Sequence, residues 1–441
     1  MKWKIQTEAF EMNYSERLNR VIPGGAHTYS RGDDQYPENA PQLFERGSGA
    51  YLYTPGGEEF LDYGMALRAV SLGYGERSVA DAAMAEILRG NNLTRPSLVE
   101  LNAAELMTQI VPSVEMVKFA KNGSTVTTAA LKVARAYTGC KYIARCAQHP
   151  FFSYDDWFIG DTALKRGIPD EHASLTLNFN YNDIASLNTL FEQYPNQIAG
   201  VILEPATSAH PENNFLQQVK DVCHKNGALF ILDEMITGFR WDLGGAQIYY
   251  RVQPDLCTFG KAMANGFSVA ALGGKREIMN VGGIKELGNE RVFLISTTHG
   301  AEMCGLGAFI ETVNFYKKHH VVKHLWEYGE QLISNMNTLA KDFGVQDYFE
   351  VGGIPCSPVF TTKDKKGEIS LAYRTLFLQE MIKNRVLMPW IALSFAHNGT
   401  ELSRTLEAVK ASLKIYAQAL DDGYEKYLQG AVIKPVFRKY N

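Results

Sequence analysis

The sequence has few cysteines, and they are not spaced as metal ligands or as a disulfide framework. Six of them are scattered along 441 residues without a C-x-x-C pair, at positions 140, 146, 223, 257, 304 and 356. Structural zinc sites and small disulfide-stapled domains depend on closely spaced pairs, so the pattern excludes both classes. It is typical of a reducing compartment, and we expect a cytoplasmic protein with no metal site.

The sequence also lacks the features of membrane proteins and of nucleic-acid-binding proteins. No stretch approaches the roughly 18 apolar residues of a spanning helix, and the first 13 residues contain no apolar signal-sequence core. The net charge is −4, and no basic block exceeds the short stretch from Lys363 to Lys366. We therefore expect no membrane and no nucleic acid as partner, but small molecules instead.

What the sequence does have is an alternation of short apolar runs with helical patterns between about residues 75 and 310. This alternation is typical of an α/β layer with a mostly parallel sheet. Two predicted strands, Ile198–Leu203 and Ala228–Leu232, are continuously apolar, which indicates strands covered on both faces. An acidic residue, Glu204 or Asp233, follows each run closely, at the sheet edge where open α/β sheets bind ligands.

The same pattern predicts three parts. Residues 1–74 are irregular and rich in turns, so we expect an N-terminal segment that forms part of a small domain. Residues 75–310 form the large, ligand-binding domain. Residues 311–441 combine long helical patterns, such as Phe315–Phe343, with short strand candidates, and they form a smaller α+β C-terminal domain.

Two hydroxyl-rich loops could bind a phosphate. Gly123-Ser124-Thr125 lies between a predicted strand and a predicted helix, where backbone N–H groups and hydroxyls can approach an anion. A simple helix cap after a turn would give the same pattern. Ser296-Thr297-Thr298 could supply a second phosphate contact, and a plain turn is the alternative.

Lys261 and Asp233 are the candidate catalytic residues. Lys261 lies among small and apolar residues, where desolvation lowers the pKa of the amine and prepares it for Schiff-base chemistry. Asp233 could pair with a protonated ring nitrogen. A surface lysine and a helix cap are the alternatives, but the two residues together with the phosphate loops match the set that pyridoxal phosphate requires.

These motifs identify a family resemblance that runs over nearly the whole chain. The sequence resembles the class III (omega) aminotransferases of fold type I, in the branch that contains glutamate-1-semialdehyde aminomutase. The segments that carry the resemblance are Ile22-Pro-Gly-Gly25, Phe60-Leu-Asp-Tyr63, Asn122-Gly-Ser-Thr125, Leu203-Glu-Pro205, Leu232-Asp-Glu-Met-Ile-Thr-Gly-Phe-Arg240, Phe259-Gly-Lys261 and Ser394-Phe-Ala-His397.

The resemblance implies a homodimer with active sites at the subunit interface and pyridoxal 5'-phosphate as the cofactor. Lys261 would form the Schiff base and move the proton, and Asp233 would hold the pyridine nitrogen. Met235 would pack on one ring face. Gly123, Ser124 and Thr125 would surround the phosphate, and Thr297 would reach the phosphate of the neighbouring subunit. Substrate would contact Glu204 and, through its carboxylate, Arg31.

Some positions depart from the family pattern. Relatives place an aromatic residue on the cofactor ring after the third strand, and here Phe151 or, by another alignment, His149 takes that place. Arg68 and Trp390 are further candidates for pocket walls.

Other departures concern the reaction. Leu67 replaces a tryptophan of the aminomutase, and the segment from Val386 to Ser394 lacks the aminomutase's acidic insertion. We therefore predict an aminotransferase that moves an amino group from a donor, glutamate in our interpretation, to an aldehyde or keto acceptor such as a sugar or amino-sugar aldehyde. The alternatives are the aminomutase reaction and a non-catalytic relative that keeps only the fold.

Overall fold

A computed structural model describes residues 13–285 and 287–440. Most of the segment in which we found no signal sequence lies outside these residues. Among the described residues, no helix combines the length and the apolar character needed to cross a bilayer.

The strands are short, as the turn-rich sequence predicts. In chain order they are β1 (Arg46–Ser48), β2 (Tyr51–Tyr53), β3 (Glu59–Asp62), β4 (Met116–Ala120), β5 (Tyr142–Cys146), β6 (Thr176–Phe179), β7 (Ile198–Leu203), β8 (Leu229–Asp233), β9 (Leu256–Phe259), β10 (Ala270–Gly274), β11 (Phe349–Ile354), β12 (Ser357–Thr362) and β13 (Val386–Leu387).

The helices range from 4 to 24 residues. They are α1 (Tyr14–Val21), α2 (Met65–Arg68), α3 (Arg77–Leu88), α4 (Leu98–Ile110), α5 (Gly123–Thr138), α6 (Asp156–Ile159), α7 (Asp170–Ala173), α8 (Ile184–Gln193), α9 (Phe215–Lys225), α10 (Ala246–Tyr249), α11 (Arg276–Met279), α12 (Met303–His319), α13 (Val321–Asp342), α14 (Leu371–Lys383) and α15 (Gly399–Asp422).

The chain forms two compact units. The central unit is Ala66–Glu327, and the terminal unit combines Met1–Met65 with Tyr328–Asn441. The three-part division at residues 74 and 310 stays a prediction.

The central unit contains a seven-stranded sheet in the order β4-β10-β9-β8-β7-β5-β6. Only β10 runs antiparallel to its neighbours, so the prediction of a mostly parallel sheet is confirmed. Every residue of β7 and β8 is buried, as expected for strands covered on both faces. Because β7 and β8 are adjacent and parallel, Glu204 and Asp233 lie at the same edge of the sheet.

Helix α5 covers this sheet with an apolar face. Ala130, Val133 and Ala134 are buried, and the helix ends at Gly139, whose φ of 71° suits a left-handed cap. The N-terminus of α5 directly follows β4. The phosphate-loop motif therefore lies at the same edge of the sheet as the acidic residues.

The terminal unit contains a four-stranded sheet in the order β1-β2-β3-β13 and the hairpin β11-β12. The long helices α14 and α15 confirm the predicted helical patterns. The predicted pattern Phe315–Phe343 is wrong as a single helix. It is broken at His320, whose φ of 52° ends α12 before α13 begins.

Candidate active site

Lys261 follows β9 and begins a short 3-10 turn, Lys261–Ala264. Its φ of 41° lies in the left-handed region, which costs a non-glycine residue on the order of 1 kcal/mol or more. Burial lowers the pKa of the amine, while the negative charges of Asp233 and Glu204 oppose that shift. Strain and a lowered pKa at one lysine are typical of a functional position.

Asp233 is the last residue of β8 and is 1% exposed. Its Oδ1 accepts hydrogen bonds from the backbone N–H of Met235 at 3.0 Å and from Oγ1 of Thr258 at 3.1 Å. Burial raises the pKa of this carboxyl to about 6, against the lowering effect of the Lys261 charge. The group is therefore ionised at neutral pH and can pair with a cationic ring nitrogen.

Glu204 directly follows β7 and is 2% exposed. Its Oε2 is buried and has no hydrogen-bond partner among the described residues. Burial, together with the negative charge of Asp233, raises the pKa of Glu204 to about 8. The shift favours the protonated carboxyl group, which can exchange a hydrogen bond with a bound molecule.

His149 fixes the backbone of Glu204. The N–H of Glu204 donates to Nδ1 of His149 at 2.9 Å, so the histidine carries its proton on Nε2. Burial lowers the pKa of His149 to about 3, and its buried Nε2 has no hydrogen-bond partner in the described part of the chain. Sequence reasoning missed this contact, because the two residues are far apart in the chain and share no motif.

The phosphate-loop motif forms the first turn of α5. Asn122 caps this helix and accepts hydrogen bonds from the backbone N–H and the hydroxyl of Thr125, at 2.9 and 3.1 Å. Ser124 is buried, and its Oγ accepts from the backbone N–H of Tyr154 at 3.0 Å. The Ser124 hydroxyl proton and the N–H groups of the first turn suit a phosphate.

Met235 packs against two glycines. A Cβ atom at Gly123 would lie 2.8 Å from Sδ of Met235, and one at Gly260 would lie 2.7 Å from it. Neither glycine has a left-handed φ, so space and not backbone conformation requires glycine here. Met235 therefore joins the phosphate loop to the segment that carries Lys261.

Phe151 and His149 differ in accessibility. Phe151 is 47% exposed and makes an edge contact with Phe158, whereas His149 is 2% exposed. The loop that carries Phe151 is fastened to α5, since Oγ1 of Thr127 donates to the carbonyl of Phe152 at 2.9 Å. An accessible ring beside the phosphate loop favours Phe151 for stacking on a cofactor.

Arg68 belongs to the same charged cluster. Glu204 favours its charged form, whereas burial and the neighbouring Arg240 lower the pKa of Arg68 to about 10. Arg240 donates to the carbonyl of Ile236 at 3.0 Å and to the carbonyl of Arg68, so its guanidinium binds backbone carbonyl groups. The residues 66–68 have φ values of 49°, 62° and 69°.

For two predicted site residues, no contact with the residues above is part of the description. Thr297 is exposed in the segment before α12, and the next residue, Thr298, accepts a hydrogen bond through its carbonyl from Nδ2 of Asn92 at 3.0 Å. Arg31 ends the 3-10 turn Tyr29–Arg31 of the terminal unit, where its charge acts on the hydroxyl of Tyr36. The roles of both residues stay predictions.

Two other motif residues serve the fold. Glu234 is fully buried and accepts from the backbone N–H groups of Ala246 and Gln247 at 2.9 and 2.8 Å. In the terminal unit, Nδ1 of His397 accepts from the backbone N–H of Ser394, and its Nε2 bonds to the carbonyl of Asp62 at 3.1 Å. Both residues belong to motifs that carry the family resemblance, and in this chain they bind backbone groups.

The sheet, the half-buried lysine, the buried aspartate and the loop at the N-terminus of α5 define a fold type I enzyme. The chain belongs to the aminotransferase class III family, whose model matches residues 34–374. It is 31% identical to 3-aminobutyryl-CoA aminotransferase of Cloacimonas acidaminovorans, covering 92% of this chain and 97% of the relative. It is 30% identical to glutamate-1-semialdehyde 2,1-aminomutase of Alkaliphilus metalliredigens, covering 94% and 97%.

Solved structures agree with this membership. The FumI protein of Sphingopyxis sp. MTA144, in its PLP internal aldimine form, matches with a TM-score of 0.84 at 26% identity, covering 94% of this chain and 97% of that chain. An omega-transaminase from Sphaerobacter thermophilus matches with a TM-score of 0.82 at 25% identity, covering 92% and 97%.

The cofactor is accordingly pyridoxal 5'-phosphate. The residues of this chain fit it. Asp233 is a buried carboxylate, Glu204 offers a buried oxygen with no hydrogen-bond partner among the described residues, and Ser124 and Thr125 lie in the first turn of α5.

Proposed function

We propose that the protein is an aminotransferase that moves an amino group from glutamate to an aldehyde or keto acceptor. The observation that carries the proposal is Lys261, a half-buried lysine whose pKa is lowered by desolvation, beside the buried carboxylates of Asp233 and Glu204. A lowered pKa makes the neutral amine, which is a nucleophile and a proton carrier, more available.

Each predicted site residue has a proposed role that follows from its chemistry. Lys261 would hold the cofactor through its Nζ, and the same amine would move the proton during the reaction. Asp233 would keep the ring nitrogen charged, and the cofactor would supply an electron sink when bound. Gly123, Ser124 and Thr125 hold the phosphate, Met235 and Phe151 contact the two ring faces, and Glu204 and Arg31 contact substrate.

The amino acceptor is proposed only by class. The similarity to a 3-aminobutyryl-CoA aminotransferase supports a reaction between two molecules, with a carbonyl compound as the acceptor. A sugar or amino-sugar aldehyde is one such acceptor, and acyl-chain keto compounds are another to be screened.

The aminomutase reaction is the second candidate. It is supported by the 30% identity to glutamate-1-semialdehyde 2,1-aminomutase. Two departures from the aminomutase pattern make this reaction the less favoured candidate. Leu67 replaces a tryptophan, and the segment Val386–Ser394 lacks the acidic insertion.

A homodimer that shares its active sites is part of the proposal. Apolar side chains are exposed on α3, on α4 and in the loop between them, namely Met84, Ile87, Leu88, Leu93, Leu98 and Leu101. Asn92 of that loop bonds to Thr298, next to the predicted phosphate ligand Thr297. A second copy seated on this surface would cover the apolar residues and bring Thr297 to the partner's cofactor.

The test combines spectroscopy with product analysis. Purified protein with added pyridoxal 5'-phosphate should gain a near-visible absorbance band that borohydride fixes at Lys261 and that Lys261→Ala lacks. The same protein should release 2-oxoglutarate from glutamate. Absence of the band in the unmodified protein would support a non-catalytic relative. Turnover of glutamate 1-semialdehyde alone, without a keto acid, would establish the aminomutase instead.

A further inference from the structure

The exposed turn that begins at Thr297 is closed by a glycine. The backbone N–H of Gly300 donates to the carbonyl of Thr297 at 3.3 Å, so Thr298 and His299 are the two central residues of the turn. A Cβ atom at Gly300 would lie 2.8 Å from Oγ1 of Thr297. The absence of a side chain at this glycine therefore leaves the space that the Thr297 hydroxyl occupies.

Asn92, in the loop between α3 and α4, binds both central residues of this turn. Its Nδ2 donates to the carbonyl of Thr298 at 3.0 Å and lies 3.3 Å from Nδ1 of His299. The amide carries two N–H groups, so one can bind the carbonyl and the other the ring nitrogen when Nδ1 of His299 carries no proton. One exposed side chain thus holds the turn from a different part of the chain.

The far end of the same segment is held by the neighbouring residue, Asn91. Glu302, at the N-terminus of α12, accepts from Nδ2 of Asn91 at 2.8 Å. Oδ1 of Asn91 accepts from the backbone N–H of Cys304 at 3.0 Å, and its carbonyl accepts from that of Met303 at 2.8 Å. These bonds satisfy N–H groups of the first turn of α12, which has no cap from its own side. The segment after Thr297 is therefore fixed at both ends.

Lys121 joins this segment to the phosphate-loop motif. It directly precedes Asn122, which caps α5, and its Nζ donates to Glu302. This hydrogen bond lowers the pKa of Glu302, and the resulting carboxylate is favourable at a helix N-terminus. Hydrogen bonds thus connect the phosphate loop of a subunit to the segment that follows its own Thr297.

We propose that Asn92 is a positioning residue for Thr297 and sets its hydroxyl where the phosphate of the partner subunit's cofactor binds. The inference rests on the proposed function, in which Thr297 reaches the neighbouring subunit. An exposed turn that is free to move must be ordered when it binds a ligand, and this ordering costs affinity. Asn92 removes that cost because it holds Thr298 and His299 before the cofactor binds.

The experiment compares pyridoxal 5'-phosphate with pyridoxal, which lacks the phosphate. Titration of the near-visible absorbance band gives a dissociation constant for each form. We expect Asn92→Ala to raise the constant for pyridoxal 5'-phosphate by about threefold to tenfold and to leave that for pyridoxal unchanged. A general effect on folding would change both constants. Asn92→Gln keeps the amide and should recover part of the loss.

Asn335→Ala is the matched control, because Asn335 is also exposed and its Nδ2 donates to the carbonyl of Gln331 in α13 at 2.7 Å. This variant should leave both constants unchanged. A double-mutant cycle tests whether Asn92 acts through Thr297. Thr297→Val should itself weaken binding of the phosphorylated form, and Asn92→Ala should then add little to the loss.

Three results overturn the inference: equal changes for both cofactor forms, no change in Asn92→Ala or in Thr297→Val, and fully additive losses in the double variant. Sedimentation of Asn92→Ala should show the same oligomer as the unmodified protein, and dissociation into monomers would also overturn the inference. All of these results leave the aminotransferase intact. An unmodified protein without the absorbance band, in contrast, fails the proposed function itself.

Discussion

The backbone N–H of Glu204 donates to Nδ1 of His149 across 2.9 Å, and this bond links the end of β7 to the loop after β5. It forces the histidine proton onto Nε2, which faces no partner among the described residues. The bond therefore positions Glu204. It leaves Nε2 of His149 as a donor and Oε2 of Glu204 as an acceptor for a bound molecule.

Glu204 should make the stability of the cofactor-free protein depend on pH. Its pKa is raised from 4.5 to about 8, so the native state holds a proton that the unfolded chain releases. The contribution is fully present below about pH 4.5 and is lost as the pH rises towards 8. We expect Glu204→Gln to reduce the change in the free energy of unfolding between pH 5 and 8, by the order of a few kcal/mol. Thermal melts across this pH range measure the effect.

Asp233→Asn serves as the comparison for that experiment. The pKa of Asp233 is raised only to about 6, so the pH dependence that this variant removes should lie below pH 6. A Glu204→Gln protein whose melting profile keeps the unmodified slope between pH 6 and 8 contradicts the assignment.

Gly260→Ala should destabilise the protein because the new Cβ would lie 2.7 Å from Sδ of Met235. We expect a loss of about 1–3 kcal/mol in urea unfolding. Adding Met235→Ala should remove the clash, so that the two changes are strongly non-additive. Gly399→Ala is a control, since a Cβ there meets nothing within 4 Å. Additive losses would show that the glycine is needed for another reason.

Lys261→Gly should be more stable than Lys261→Ala. Glycine usually destabilises a fold, but the φ of 41° at this position penalises every side chain. We expect a difference of about 1 kcal/mol in favour of glycine, measured by denaturant unfolding without cofactor. If alanine proves the more stable residue, the backbone at Lys261 is not strained.

Leu98→Glu should separate the proposed dimer. Leu98 is 73% exposed at the first position of α4, where an acidic side chain is favourable for an isolated helix N-terminus. We expect monomers in sedimentation without a loss of thermal stability of the subunit. Ile369→Glu, at an equally exposed position in the terminal unit, should leave the dimer unchanged. Dimers that persist in Leu98→Glu would place the interface elsewhere.

The parts of the site that follow from sequence are those with a local signal. Continuous apolar runs predicted β7 and β8 to within one residue, because strands buried on both faces exclude polar side chains. Glu204 and Asp233 stood out for the same reason, because they are the first charged residues after these apolar runs.

Other features have no local signal. The left-handed turn of α2, Met65–Arg68, contains neither glycine nor asparagine, so no residue preference reveals it. The break between α12 and α13 falls at His320 inside a basic, helix-compatible stretch. The bond between His149 and Glu204 exists only because two parallel strands place their ends together. Tertiary packing decides each of these.

The left-handed turn also limits which residues can replace those that form it. A residue with a branched Cβ is disfavoured at φ values of 62° and 69°, so valine, isoleucine and threonine are poor choices at positions 67 and 68. Unbranched side chains, asparagine and glycine remain. A library of variants at these two positions can therefore be confined to a small set of residues in which side-chain length and charge vary but the shape near the backbone does not.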